Sequence, residues 1–164
     1  MTERVRNVLF LCTGNSARSI LGEALLNHRG QGRFRAFSAG SKPAGRVNPF
    51  ALELLEANGI ATAGLRSKSW AEFEDSPAIP LDIVVTVCDS AAKESCPIWP
   101  GQPINVHWGL PDPAAVEGSD EDKRRAFRDA YGKMQQRISK LMQLRLDGLE
   151  RATLRYQLAA IGAE

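Results

Sequence analysis

Cys12 and Arg18 are separated by five residues, Thr13-Gly14-Asn15-Ser16-Ala17, and Ser19 follows directly. A thiol, a guanidinium and small or polar residues between them suit one chemistry: attack by sulfur on a tetrahedral oxyanion. A tight loop of this kind can turn successive backbone N–H groups inward as a nest for the anion. A helix starting at its end adds partial positive charge. Arg18 would bring two parallel donors to two oxygens of one anion, which lysine does not match. Gly14 is expected to take a backbone angle that other residues resist, and Asn15 to fix the loop through side-chain hydrogen bonds. So positive a pocket favours the Cys12 thiolate, and Ser19 is placed to donate a hydrogen bond to the sulfur. The loop is neither a Walker A motif nor Gly-x-Gly-x-x-Gly. The plain alternative is a buried cysteine beside a solvated arginine.

These residues need elements to hold them, and the sequence offers a suitable set. Val8 to Leu11 is an apolar run that reads as a buried strand leading into the loop. A helical pattern follows, with Ile20, Leu21, Ala24 and Leu25 on one face, stopping near Gly30. A second strand is expected over Arg33 to Phe37, ending at Ser38-Ala39-Gly40. A second helix begins at the N-cap Asn48 with Pro49 at its first position, shows Leu52, Leu55 and Glu56 on a partly buried face, and stops at Asn58-Gly59. Leu81 to Val87 reads as a central strand with Cys88 at its end, and Ile104 to Trp108 as a fourth strand ahead of Gly109-Leu110-Pro111-Asp112-Pro113. From about Asp120 a long helix carries Phe127, Tyr131, Met134, Ile138 and Leu141 at steps of four, three, four and three, a core-facing stripe. Leu149 to Ile161 is a last amphipathic segment after Gly148.

Alternating strands and helices predict an α/β fold: a three-layer sandwich with a four-stranded, mostly parallel sheet and helices on both faces. Ligands of such sheets bind beyond the carboxyl ends of the strands. Cys12, Cys88 and the Asp112 loop all fall on that rim. The 164 residues make about one domain, expected over 1–146 with a helical extension of unassigned role over 147–164. With 43% apolar and 24% charged residues and a net charge of +2, the composition is that of an ordinary globule, too mildly basic to argue for nucleic acid or a membrane surface. No apolar stretch approaches the ~20 residues that span a bilayer, and Val8 to Cys12 is too short for a signal peptide. A cytoplasmic location is expected. Three cysteines, Cys12, Cys88 and Cys96, do not make a secreted disulfide framework. They are fillers or working thiols.

Leu11-Cys12-Thr13-Gly14-Asn15-Ser16-Ala17-Arg18-Ser19 resembles the anion loop of the low-molecular-weight tyrosine phosphatase superfamily, and more narrowly of the arsenate reductases built on that fold, in particular the thioredoxin-coupled type. Ser38-Ala39-Gly40, Val47-Asn48-Pro49, Gly59-Ile60, Val84 to Cys88, Cys96-Pro97, and His107-Trp108-Gly109 ahead of Asp112-Pro113 extend the resemblance across roughly residues 5 to 140. A phosphatase needs one nucleophilic cysteine and one acid, whereas a reductase must also deliver two electrons. Cys88 and Cys96 therefore discriminate between the two.

The resemblance implies a low-molecular-weight phosphatase-like fold and the following course. Thr13 to Ala17 and Arg18 hold arsenate, Cys12 attacks it, and Asp112 protonates the leaving hydroxide. Cys88 attacks the Cys12 sulfur as arsenite departs, Cys96 takes over the disulfide, and an external reductant restores the thiols. That reductant would be thioredoxin, or glutathione with glutaredoxin; no bound cofactor and no metal are expected. Asp89 to Ser95, rich in Ala, Ser and charge, suits a loop able to carry a thiol. Pro111 and Pro113 stiffen the segment that bears Asp112.

The chain departs from the family pattern in places. Seven residues lie between Cys88 and Cys96, one more than in thioredoxin-coupled members. Arg66-Ser67-Lys68 replaces a Thr-Ser-Asp whose aspartate helps to bind potassium, so Lys68 is expected to remove that site and to take the cation's place. Ala114 follows Asp112-Pro113, where tyrosine phosphatases carry an aromatic, which favours a small inorganic anion. Two alternatives remain: a phosphatase acting on phosphotyrosine or aryl phosphates, and a non-catalytic oxyanion- or arsenic-binding redox sensor. His107 reads as a packing residue, His28 as solvated, and neither forms a zinc site with the cysteines.

Overall fold

The structure is a computed structural model that describes residues 4–74, 79–88, 99 and 101–164. Strand β1, Arg6–Cys12, runs through the middle of the molecule with its last five residues buried. It pairs in parallel with β2, Phe34–Gly40, on one side and with β3, Ile83–Thr86, on the other. Strand β4, Ile104–His107, pairs in parallel with β3. The order β2-β1-β3-β4 makes an all-parallel, four-stranded sheet. The chain reverses its winding between β1 and β3, the place where such sheets open a crevice beyond their carboxyl ends. Cys12 ends β1, and Cys88 lies just past β3 on the same rim.

Alternation along β1 divides the core in two. Val8, Phe10 and Cys12 face a large cluster, and Leu9 and Leu11 face a smaller one with Ala39, Phe73, Val84 and Trp99. The large cluster is covered by α1, Arg18–Arg29, by α2, Pro49–Ala57, by α4, Asp120–Gln143, and by α5, Arg151–Gly162. On the smaller face the described residues place the short α3, Ala71–Glu74, whose Phe73 packs edge-on against Phe37. Trp70 and Trp99 meet edge to face on that side, so two of the three tryptophans serve packing.

Local signals account for most boundaries. Asn48 accepts a hydrogen bond from the Phe50 N–H at 2.9 Å, capping α2 ahead of Pro49. Within that helix the buried residues are Ala51 and Leu55, while Glu56 is exposed, contrary to its expected place on the buried face. Ser119 and Asp122 form a capping box at the start of α4. The stripe on α4 is core as expected, with Phe127, Met134, Ile138 and Leu141 buried. The 147–164 segment contributes α5, whose Leu154, Leu158 and Ile161 join the large core. Trp108, fully buried against Phe10, donates its indole N–H to the Leu158 carbonyl at 2.9 Å. No helix among the described residues is long and apolar enough to cross a membrane.

Candidate functional site

The Cys12–Arg18 loop is held from outside by its carbonyls. Thr13 O accepts from Lys42 N, Gly14 O from Ala44 N and Ser67 Oγ, and Ser16 O from Asn48 N. Because the C=O and the next N–H of a planar trans peptide point oppositely, the N–H groups of Gly14, Asn15 and Ala17 turn to the inner side. One of them is accounted for: Asn15 N–H donates to Cys12 Sγ at 3.2 Å. The helix behind the loop adds more donors. Its N-cap is Ala17, which offers no capping side chain, and its first turn carries no acidic residue. A helix start of this kind suits an anion in the capping role.

Ser19 lies under the sulfur, with Oγ 2.9 Å from Cys12 Sγ. The surrounding bonds give this contact a direction. Asn15 Oδ1 accepts from Lys68 N at 2.9 Å, so its amide nitrogen faces the other way and donates to Ser19 Oγ at 2.8 Å. With its oxygen engaged as acceptor, Ser19 turns its own proton to the sulfur. Two donors, the Asn15 N–H and the Ser19 hydroxyl, thus converge on Cys12. Both cysteines that the structure describes, Cys12 and Cys88, are buried.

The left-handed residue of the loop is Asn15, with φ of 45°, and not Gly14 as expected from residue type. Asparagine tolerates that angle, and its fully buried side chain is fixed at both ends. The glycine that this loop requires is instead Gly40, where a Cβ would come within 2.4 Å of Thr13 O. Gly40 lets the loop rest on the end of β2.

Arg18 donates through Nη1 to Leu110 O at 2.9 Å, and its Nη2 lies 3.5 Å from Asp112 Oδ2. The two residues expected to bind the anion and to supply the acid are therefore neighbours on the rim. Asp112 also accepts from Ala114 N at 3.0 Å, capping the 3-10 turn Pro113–Ala115, and its side chain is partly exposed. Cys88 approaches from the β3 side, with Sγ 3.6 Å from Thr13 Oγ1. Cys96 lies outside the described residues. His107 Nδ1 pairs with Thr86 Oγ1 at 2.8 Å, and His28 is exposed at the end of α1. Among the described residues no three His, Cys, Asp or Glu side chains gather into a metal-binding group.

A buried charged pair behind the loop was not expected in this form. Lys68 Nζ donates to Arg66 O at 2.9 Å and lies 3.6 Å from Glu23 Oε1, which accepts from Ser38 Oγ at 2.5 Å. Burial pushes the Lys68 ammonium below its ordinary value, against the opposing pull of Glu23. Lys68 also holds Asn15 through its backbone N–H, so the pair and the loop share a strut. Lys68→Met should cost about 3 kcal/mol in denaturant unfolding, because it strands a buried carboxylate. Adding Glu23→Gln should restore more than half of that loss; simple addition of two losses would mean that the pair is not coupled.

Comparison with known proteins places this geometry among relatives. The family model described as low molecular weight phosphotyrosine protein phosphatase matches residues 7–153. An arsenate reductase of Halalkalibacterium halodurans is 36% identical over 131 residues, covering 80% of this chain and 91% of that protein. A solved arsenate reductase in its oxidized state superposes with a TM-score of 0.67 at 28% identity, over 84% of this chain and 96% of the other. A thioredoxin-dependent arsenate reductase of Corynebacterium glutamicum superposes with a TM-score of 0.65 at 26% identity; this chain, matched over 87% of its length, spans 63% of that one.

Proposed function

The chain belongs to the low molecular weight phosphotyrosine protein phosphatase family, and from that premise we propose that it reduces arsenate to arsenite. The observation that carries this reading is the second thiol. Cys88 Sγ lies against Thr13, inside the loop that begins at Cys12. A phosphatase of this fold uses one cysteine, whereas two thiols on one rim can supply two electrons. The curated relatives named arsenate reductase support the same reading.

The proposed course is the one that the family resemblance implies. Arsenate enters the loop against the inward N–H groups and Arg18. The Cys12 thiolate attacks arsenic, forming an S–As bond, and an arsenate oxygen leaves as water with a proton from Asp112. The Cys88 thiolate then attacks Cys12 Sγ. As the S–S bond forms, the S–As bond breaks and its electron pair passes to arsenic, which departs as arsenite. Donation from Ser19 and Asn15 stabilises Cys12 whenever it leaves as thiolate. Cys96 attacks Cys88 in turn and releases Cys12, and an external dithiol of the thioredoxin class reduces the Cys88–Cys96 disulfide. Glutathione with glutaredoxin is the other candidate reductant. Cys12, Arg18 and Asp112 would also hydrolyse an aryl phosphate, with no use for Cys88.

Multiple-turnover arsenite production with thioredoxin, compared with glutathione, tests the reading; production with neither would contradict it. Arg18→Lys tests the anion fork within it. Lysine keeps the charge but loses the paired donors and the Leu110 contact, so KM for arsenate should rise about 100-fold, close to 3 kcal/mol. An unchanged KM would remove Arg18 from the site.

A further inference from the structure

The segment that carries Asp112 is gripped by two arginines on different helices. Arg18 on α1 takes the Leu110 carbonyl, and Arg137 on α4 takes the preceding Gly109 carbonyl at 2.9 Å. Arg137 is only 4% exposed, and among the described residues no carboxylate side chain pairs with it. Its other donor group reaches the Gly162 carbonyl at 3.3 Å, at the end of α5, and a main-chain oxygen of Glu164 just beyond it at 3.4 Å. A buried guanidinium held by main-chain oxygens, with no carboxylate side chain against it, is an expensive arrangement for packing, since apolar residues of similar volume fill such space at lower cost.

The end of α5 presses on the same segment. Trp108 is tied to Leu158 O, and a Cβ at Gly162 would come within 2.2 Å of His107 O and 2.5 Å of Trp108 Cδ1. On the sheet side, Trp108 N bonds to Thr86 O and Leu110 N to Val87 O. Residues 107–110 are thus fixed by the sheet, by Arg18, and by a clamp made of Arg137 and the C-terminal helix. Asp112 follows two residues later on a segment that Pro111 and Pro113 stiffen.

We propose that Arg137 and the C-terminal helix, through Gly162, are positioning elements that set the reach of Asp112 toward the leaving group held in the Cys12–Arg18 loop. This inference rests on the reading of Asp112 as the acid. It gives the 147–164 segment a role in the reaction: it fixes the placement of the acid and leaves the anion loop to other supports.

Two aryl phosphates provide the test, since a poor leaving group such as phenol needs a well-placed acid and 2,4-dinitrophenol does not. Asp112→Asn should lose about 100-fold or more with phenyl phosphate and little with the dinitrophenyl ester. Arg137→Met and Gly162→Ala, which disturb the clamp from different elements, should show the same pattern at roughly a tenth of that size or more, with Ki for inorganic phosphate as inhibitor unchanged. Arg137→Lys should fall between Arg137→Met and the parent. Leu26→Ala, a cavity in the buried part of α1, controls for lost stability and should not separate the two esters. Equal losses on both esters in Arg137→Met and Gly162→Ala, or no loss in either, would overturn the inference while leaving Asp112 as the acid. A flat response in Asp112→Asn would overturn the acid assignment, and this inference with it.

Discussion

Cys12→Ser is expected to abolish arsenate reduction and aryl-phosphate hydrolysis together, each by about 10⁴-fold or more, while the protein stays folded. In the proposed course both reactions begin with a bond from Cys12 Sγ, to arsenic or to phosphorus, and a serine hydroxyl at this place has no base beside it. The polar groups that meet the sulfur are an N–H and a hydroxyl, both arranged to donate. They stabilise a thiolate and do nothing to take a proton from serine. The exchange is nearly isosteric, and Ser19 and Asn15 keep their partners, so thermal stability should change little. Steady-state rates in both assays check the prediction. Retained turnover in either would remove the loop from the reaction.

Cys88→Ser should separate the two activities. Arsenate reduction over many turnovers falls to background, because the second electron-donating thiol is gone. Aryl-phosphate hydrolysis stays within about threefold of the parent, less than 1 kcal/mol, because Cys12, Arg18 and Asp112 are unchanged. Serine can keep the contact with Thr13 Oγ1, so the loop is not released. Parallel loss of both activities would mean that Cys88 supports the loop and is not a redox partner. Retained reduction would assign the second electron donor elsewhere.

Much of this was legible in the sequence because local rules and tertiary structure agree. The β1 run, the Asn48-Pro49 start of α2, the four-three spacing on α4 and the placement of Cys12 and Cys88 at strand ends all follow from period and punctuation. The loop was legible as an anion nest, but its strained position was not. Residue type pointed to Gly14, whereas the positive φ falls on Asn15, where the side chain's two hydrogen bonds outweigh the cost of the angle. Gly40 carried no signal of its own, since its need arises from another segment lying against it. Ser19 and Glu23, a helical turn apart, stand beside the buried Ile20, Leu21, Ala24 and Leu25 of α1, and that was the available sign of a polar network behind the loop. Arg137 was hidden by its place in a charged helix, where an inward arginine and a solvated one look alike.

A thiol count tests the central claim most directly. The fully reduced protein, freed of external thiol, holds three cysteines. It is mixed with stoichiometric arsenate, denatured so that buried groups react, and titrated beside an untreated sample. A fall from three free thiols to one, with one arsenite released per chain, is the result expected of a relay that takes both electrons from this protein's own cysteines. Three thiols still free, with arsenate recovered intact, would contradict it.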